Sequence, residues 1–208
     1  MSYSSSGNLR KDYRDKILCI GKDGHVVIKD MIEGSTPEQW DFIEGSAFNL
    51  RLAEVRIPDM SVPKEELIAY IGPDERFTPP TIAVPPYEYK LRGKDRFGWI
   101  VSPGGFCLLV SEEITNVPVD CFMPVKGRFS FASSFAAMIS TDAHPNFQGR
   151  ITTLLTVNPM FPLALGEGCE FCFVRLAHLT DKESDAYRGI WGVEGYGSTT
   201  NGEAARSK

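Results

Sequence analysis

A chain of 208 residues, 42% hydrophobic and 24% charged, has an ordinary globular balance and the length for one large domain with its own core. Its formal net charge of −5 argues against a non-specific nucleic-acid binder, which needs a basic face to release counterions, but leaves room for a ligand met by a few local cations. No apolar run approaches the roughly 20 residues of a membrane helix, the polar opening MSYSSSGNLRKDYR has no signal-like apolar core, and five cysteines, an odd number, read as reduced thiols of a cytoplasmic protein.

Residues 1–8 are Ser-rich and polar and are expected to be disordered. Leu9, Tyr13, Ile17 and Leu18 stand near helical spacing and predict a short helix within Asn8–Ile20. Gly21-Lys22-Asp23-Gly24 is a turn signal ahead of a strand at His25–Ile28. Ser46–Val55 alternates, with Phe48, Leu50 and Leu52 on one face and Asn49, Arg51 and Ala53 on the other, which predicts a half-buried strand. Residues 56–95 read as a loop-rich excursion with a strand near Glu66–Ile71. From Gly98 the β character is sustained, in GWIVSP, FCLLVSEEITNVP, CFMPVKGRFSF, GRITTLLTVN and PLALGEGCEFCFVRL, with Gly, Pro and Asn punctuation at sandwich or barrel spacing. SSFAAMI, Ser133–Ile139, is the helix candidate inside this region.

Cys169 and Cys172 form one CxxC in a strand-like segment. Residues three apart on a strand face opposite sides, and no second CxxC or His pair completes a metal set. They read as buried small hydrophobes, with zinc or redox work as the sharper alternative. There is no solenoid repeat and no Walker spacing. The polar stretch 181–208, with Tyr187, Trp191 and Tyr196 among glycines, is either a docking arm or a frayed terminus.

Seven segments, taken in order, resemble the dCTP deaminase and dUTPase superfamily. Phe48-Asn49-Leu50-Arg51-Leu52 is similar to that family's "DLRL" strand, and Pro103–Leu109 to its "PGEF-hydrophobic" strand. Glu112–Pro118, EEITNVP, matches an extended segment ending in "IP". Lys126–Ala132 resembles "GRSSLAR", Ala143–Gly149 resembles "IDPGFxG", and Pro162–Gly168 resembles "PIxLxPG". Tyr187-Arg188-Gly189 resembles the start of a tail that closes over bound nucleotide. The resemblance implies an all-β fold, a distorted jelly-roll-like β-barrel with a few short helices. It implies a single domain over 9–180, an arm over 181–208, a homotrimer with sites between subunits, and a deoxynucleoside triphosphate whose phosphates carry Mg2+. No nucleic acid and no membrane enters this picture.

The resemblance fails where the family's chemistry is done. The deaminase glutamate aligns with Leu154, which cannot move a proton, and no Asp or Glu lies between Asp142 and Glu167. His144 replaces the aspartate of "IDPG". Phe129 replaces the first serine of "GRSS", and Ser133 stands at the "LAR" arginine. Arg128, Ser130, Ser133, Gln148, Tyr187 and Arg188 are the substrate-binding candidates that the resemblance supplies. His144 and Asp142 are the candidates for substituted catalysis, because an imidazole exchanges protons near neutral pH. Arg150 and Arg175 are extra cations near the expected site. Each residue has a plainer reading as well: a turn polar group for His144 and Asp142, a salt bridge for Arg128, and packing for Phe129, Phe131 and Phe135. Three outcomes stand open: a pyrimidine deoxynucleotide-binding protein with altered catalysis, an inactive trimeric binding or regulatory module, or a scaffold that has lost its ligand site. A structural assembly protein on a jelly roll is a further class, which predicts large oligomers.

Overall fold

The computed structural model describes residues 2–3, 43–44, 47–73, 76–117, 121–139, 141–145, 147–175 and 177–178. The helix expected in 8–20, the turn and strand that follow it, and the arm 181–208 lie outside the described residues. Ser2 and Tyr3, within the segment expected to be disordered, form a short strand β1 (Ser2–Tyr3).

The chain is all-β among the described residues. After β2 (Ile43–Glu44) and the long β3 (Ala47–Pro58) come two small elements, β4 (Tyr70–Ile71) and β5 (Arg76–Phe77). Then follow β6 (Thr81–Val84), β7 (Tyr87–Leu91), β8 (Lys94–Val101), β9 (Phe106–Asn116) and β10 (Cys121–Gly127). One turn of helix, α1 (Phe129–Ser133), leads into β11 (Ala137–Ile139), β12 (Asp142–Ala143) and β13 (Gln148–Thr156). The last strands are β14 (Leu163–Gly166), β15 (Glu170–Val174) and β16 (Ala177–His178).

Eleven strands make one sheet, whose path runs β1-β16-β10-β15-β3-β9-β13-β11, with β12 on β10 and both β2 and β6 on β3. It curls into a half-barrel. Three register shifts help it bend: between Leu52 and Glu54, between Arg150 and Thr152, and between Glu170 and Cys172. The concave side holds Leu50, Leu52, Leu109, Met123, Leu155 and Phe171, all essentially without solvent contact. A second sheet, β14-β8-β7, closes over that core with Trp99, Val101 and Leu165. Trp99 fixes its angle by donating from Nε1 to the Val84 carbonyl at 2.7 Å. Gly98 permits the approach: it has φ +149°, and a Cβ there would lie 2.0 Å from the Leu165 carbonyl oxygen.

Several expectations are corrected. The helix expected at Ser133–Ile139 lies earlier, at Phe129–Ser133. Phe135, at φ +56°, ends the helical path, and Ala137–Ile139 instead pair with β13 as an edge strand. The strand near Glu66–Ile71 is a 3-10 turn at Lys64–Leu67 followed by only Tyr70–Ile71, since Pro63 fixes the entry to the turn. The strand over Ser46–Val55 is not half-buried. Asn49 and Ala53 are buried as well as Leu50 and Leu52, and the bulge between Leu52 and Glu54 breaks the simple alternation at Ala53. The segment 56–95 also holds more order than its prolines and charges suggest, in β6 and the β7–β8 hairpin. Among the described residues no helix is long and apolar enough to cross a membrane.

Candidate functional site

The segment from Gly127 onward is placed by close backbone approach. A Cβ on Gly127 would meet Met138 of β11 at 3.1 Å, so glycine lets β10 run against β11. The next amide, of Arg128, donates to the Phe171 carbonyl at 3.1 Å and seats the loop on β15. Arg128 is extended and precedes α1. Its Nη1 lies 2.7 Å from Glu170 Oε2. Within α1 only Phe131 turns inward. Ser130 is exposed, and its carbonyl accepts from the hydroxyls of Ser133 at 3.0 Å and Ser134 at 2.8 Å. The Ser133 hydroxyl is therefore engaged within its own turn. Phe129, where the family motif has serine, is 82% exposed, and Phe135 packs edge-on against Phe161 at 5.9 Å between ring centroids.

Asp142 and His144 lie elsewhere along β10. Asp142 pairs with Pro124 in the β10–β12 ladder and is exposed. His144 is exposed in the turn after β12, where its carbonyl accepts from the Phe147 amide at 3.0 Å. Arg128 is four residues beyond Pro124, a run of about 13 Å along an extended chain. Within one chain, then, the two catalytic candidates sit near one part of β10, and Arg128, Ser130 and Ser133 sit past its far end. Gln148 takes its place in the ladder opposite Asn116 of β9. Tyr187 and Arg188 are outside the described residues.

Leu154, which the sequence resemblance sets against the deaminase glutamate, is half-buried and alternates on β13 with the buried Leu155. It faces Ile139 of β11 and Leu108 of β9, and Leu108 in turn faces Arg56 of β3. Cross-strand partners share a face, so the row is apolar except at its β3 end. The neighbouring polar groups pair with one another. Glu54 accepts from Arg150 Nη1 at 2.8 Å and Arg56 Nη1 at 3.1 Å, while Arg56 also holds the Thr81 hydroxyl and carbonyl. Arg150 is thus paired with Glu54. Arg175 stacks over the Phe173 ring at 5.4 Å, and its amide donates to the Pro124 carbonyl.

The most buried charge was not among the candidates. Glu113 of β9 is 2% exposed. Its carboxylate accepts from the Arg51 amide at 3.0 Å and from Arg51 Nε at 2.8 Å. Burial pushes its pKa up, against the pull of these hydrogen bonds. Burial opposes charge on Arg51 also, yet the bond to Glu113 and the carboxylates of Glu113, Glu112 and Glu170 raise its pKa overall. Nothing in EEITNVP separates the inward Glu113 from Glu112 except strand alternation, and the partner lies 62 residues away. Cys172 is fully buried and Cys169 half-buried just ahead of β15. Among the described residues no group of three or more His, Cys, Asp or Glu side chains converges as a metal cage.

No protein-family model matches the chain, and no curated protein matches it. Among solved structures, the 2′-deoxycytidine 5′-triphosphate deaminase from Agrobacterium tumefaciens is similar at TM-score 0.51 and 11% identity, over 84% of this chain and 47% of that one. The dUTPases from phage phi11 of S. aureus and from Staphylococcus bacteriophage 80alpha each match at TM-score 0.36 and 7% identity, over 44% of this chain and 77% of theirs. A further phi11 dUTPase structure is described with a structural Mg(II) ion. The chain spans about half the length of the deaminase it matches. What the likeness establishes is architecture alone: the all-β fold of this chain is similar to that of the deaminase.

Proposed function

We propose that this chain binds a pyrimidine deoxynucleotide on the deaminase scaffold and does not carry out the ordinary dCTP deaminase reaction. The carrying observation is Leu154. The residue aligned with the family's general base is a half-buried leucine facing Ile139 and Leu108. A positioned general base supplies about 10²–10⁴-fold, and Phe129 and Ser133 alter the phosphate side of the motif together with it. Support for the ligand class comes from the seven ordered motifs, the fold, and the retained Arg128 and Ser130.

Arg128 is the cation offered to a phosphate, with Ser130 beside it at the exposed start of α1. Mg2+ enters with the triphosphate, held by its oxygens rather than by a protein cage. The reading includes a homotrimer, since Arg128 and the Asp142–His144 turn are separated within one chain and a site between subunits can draw on both.

The test is thermal stability against dCTP, dUTP, dTTP and their monophosphates, with and without Mg2+, followed by product analysis. A Mg2+-dependent rise in Tm with one pyrimidine triphosphate and no released uracil nucleotide is expected. At a ligand concentration 100-fold over Kd, stabilisation is about 2.7 kcal/mol. No shift with any nucleotide refutes the binding reading, and dCTP turnover at enzyme-like rates refutes the non-catalytic half. A second reading, an interaction module that binds protein only, is favoured by the exposed Phe106, Phe129, Phe135, Ile139 and Met160, and it predicts the silent panel.

A further inference from the structure

Arg128 does not wait open for a ligand. Its guanidinium is already met by a carboxylate, Glu170 Oε2 at 2.7 Å, and both side chains are partly solvated, at 28% and 38% exposure. Arginine pairs with carboxylate and phosphate through the same donors and at the same distances. A phosphate that seeks Arg128 therefore meets a negative group already in its place.

The carboxylate has a second cation. Glu170 stands opposite Arg51 in the β15–β3 ladder, where the register shifts, and it contributes to the field that raises the pKa of Arg51. Arg51 in turn lies 2.8 Å from buried Glu113 and 3.3 Å from Glu112. Two ion pairs, Arg128–Glu170 and Arg51–Glu113, are linked by the ladder pairing of Glu170 with Arg51, so the charges alternate from the mouth of the motif to the core. Glu170 can give up Arg128 and remain next to positive charge. The exchange leaves no isolated carboxylate behind, so the contact is releasable where a buried lone pair would not be.

We infer that Glu170 is an internal anion that occupies Arg128 in the ligand-free protein and is displaced when a nucleotide phosphate binds there. The inference rests on the nucleotide reading above and adds its regulation. Affinity at this site is set below what Arg128 alone would give, and it rises steeply with the number of phosphate charges able to compete with one carboxylate. Triphosphates should displace Glu170 better than monophosphates.

The experiment compares wild type, Glu170→Gln, Arg128→Gln and the control Glu167→Gln. The control makes the same charge change at an exposed site on the turn before β15. Binding of the responding pyrimidine triphosphate and of inorganic tripolyphosphate is measured by calorimetry at two salt concentrations. Glu170→Gln is expected to tighten triphosphate binding by about twofold to fivefold, the scale of one partly exposed ion pair. Glu167→Gln should change it less than twofold, and Arg128→Gln should abolish the gain when combined with Glu170→Gln. A second readout needs no nucleotide: phenylglyoxal should modify Arg128 several-fold faster in Glu170→Gln than in wild type, as located by peptide mass.

Faster modification with no nucleotide binding by any variant would keep the Arg128–Glu170 latch and remove the nucleotide ligand from it. Binding that is equal in wild type and Glu170→Gln, with unchanged Arg128 reactivity, would overturn the latch while leaving the nucleotide reading in place. Equal tightening by Glu167→Gln would reduce the effect to general charge and overturn it as well.

Discussion

Replacing Arg51 by Met isolates the buried carboxylate of Glu113. The wild-type arrangement gives that carboxylate two donors from one residue, the Arg51 amide and Nε. The variant keeps the first and loses the second, along with the opposing charge. Removing one partner of a buried pair costs about 3–5 kcal/mol. The low end applies here, because the Arg51 side chain is 38% exposed and the amide bond survives. A loss of about 3 kcal/mol corresponds to a fall in Tm of roughly 6–12 °C for a domain of this size. The sign of the pH dependence is fixed by the same geometry. Burial holds the Glu113 pKa above the ordinary 4.5, so the folded state takes up a proton more readily than the unfolded chain. Stability then falls as pH rises from 4.5 through the folded value, and it is recovered on acidification. Without Arg51 the folded pKa moves higher and this window widens. The gap between Arg51→Met and wild type should therefore shrink on going from pH 8 towards pH 5. Urea denaturation at both pH values gives the numbers. The double variant Arg51→Met/Glu113→Gln, with no charge left to bury, should recover at least about 1 kcal/mol over Arg51→Met. A single variant within 0.5 kcal/mol of wild type, about the scale of a neutral surface change, or a double variant less stable than Arg51→Met, would refute the argument.

Three further outcomes are expected. Gly98→Ala should cost about 2–4 kcal/mol, because it combines φ +149° with a Cβ 2.0 Å from the Leu165 carbonyl; denaturant titration checks it, and a neutral result would mean that β8 and β14 are not locked as described. Cys107, whose thiol burial pushes up to about 12, and Cys172, raised well above the ordinary value by burial and then by Glu113, should resist iodoacetamide at pH 8 in the native protein and react in urea; peptide mass mapping of native protein would show labelling at either site if this is wrong. Leu154→Glu should lower stability by about 1–3 kcal/mol, since it sets a carboxylate in the row of Ile139 and Leu108, and it should not yield deamination; dCTP turnover by this variant would show that Leu154 alone separates the chain from an active enzyme.

How far the sequence carried depended on the range of each interaction. Strands bounded by Gly, Pro and Asn were readable, because a strand needs only its own alternation and a turn at each end. The motif order pointed to the fold now described. The stretch Ser133–Ile139 was misread because SSFAAMI has helix-compatible spacing. What settles it is Phe135 at φ +56° and a free edge on β13 that pairs Ala137 to Ile139. Neither is a property of the seven residues. The burial of Ala53 likewise goes with a bulge in β3, set by its pairing with β9. Site chemistry was less readable still. Arg150 looked like a spare cation until the fold brought it to Glu54, 96 residues away, and Arg128 looked available until β15 set Glu170 beside it. Residue types announce what a group can do; only the ladder says what it is already doing.

The altered positions are consistent with one another once they are placed on the sheet. A glutamate at 154 would sit across β13 and β9 from its nearest row cation, Arg56, two strand spacings or about 9.5 Å away, and Arg56 is already held by Glu54 and Thr81. Arg150, the next cation, is held by the same Glu54. Leucine at 154 adds no charge beside that ion cluster and joins Ile139 and Leu108 in an apolar row. Ser133 in place of arginine closes a hydrogen bond within its own turn, and Phe129 turns a donor position into an exposed ring. Each change removes a charge or donor from the reacting side of the motif. Features that shape the scaffold beneath it are present: the Gly127 approach to Met138, the Arg128 seat on Phe171 and the β10–β12 pairing. Such a pattern separates the mechanical part of the motif from its chemical part, and this is the physical basis of the proposed binding reading.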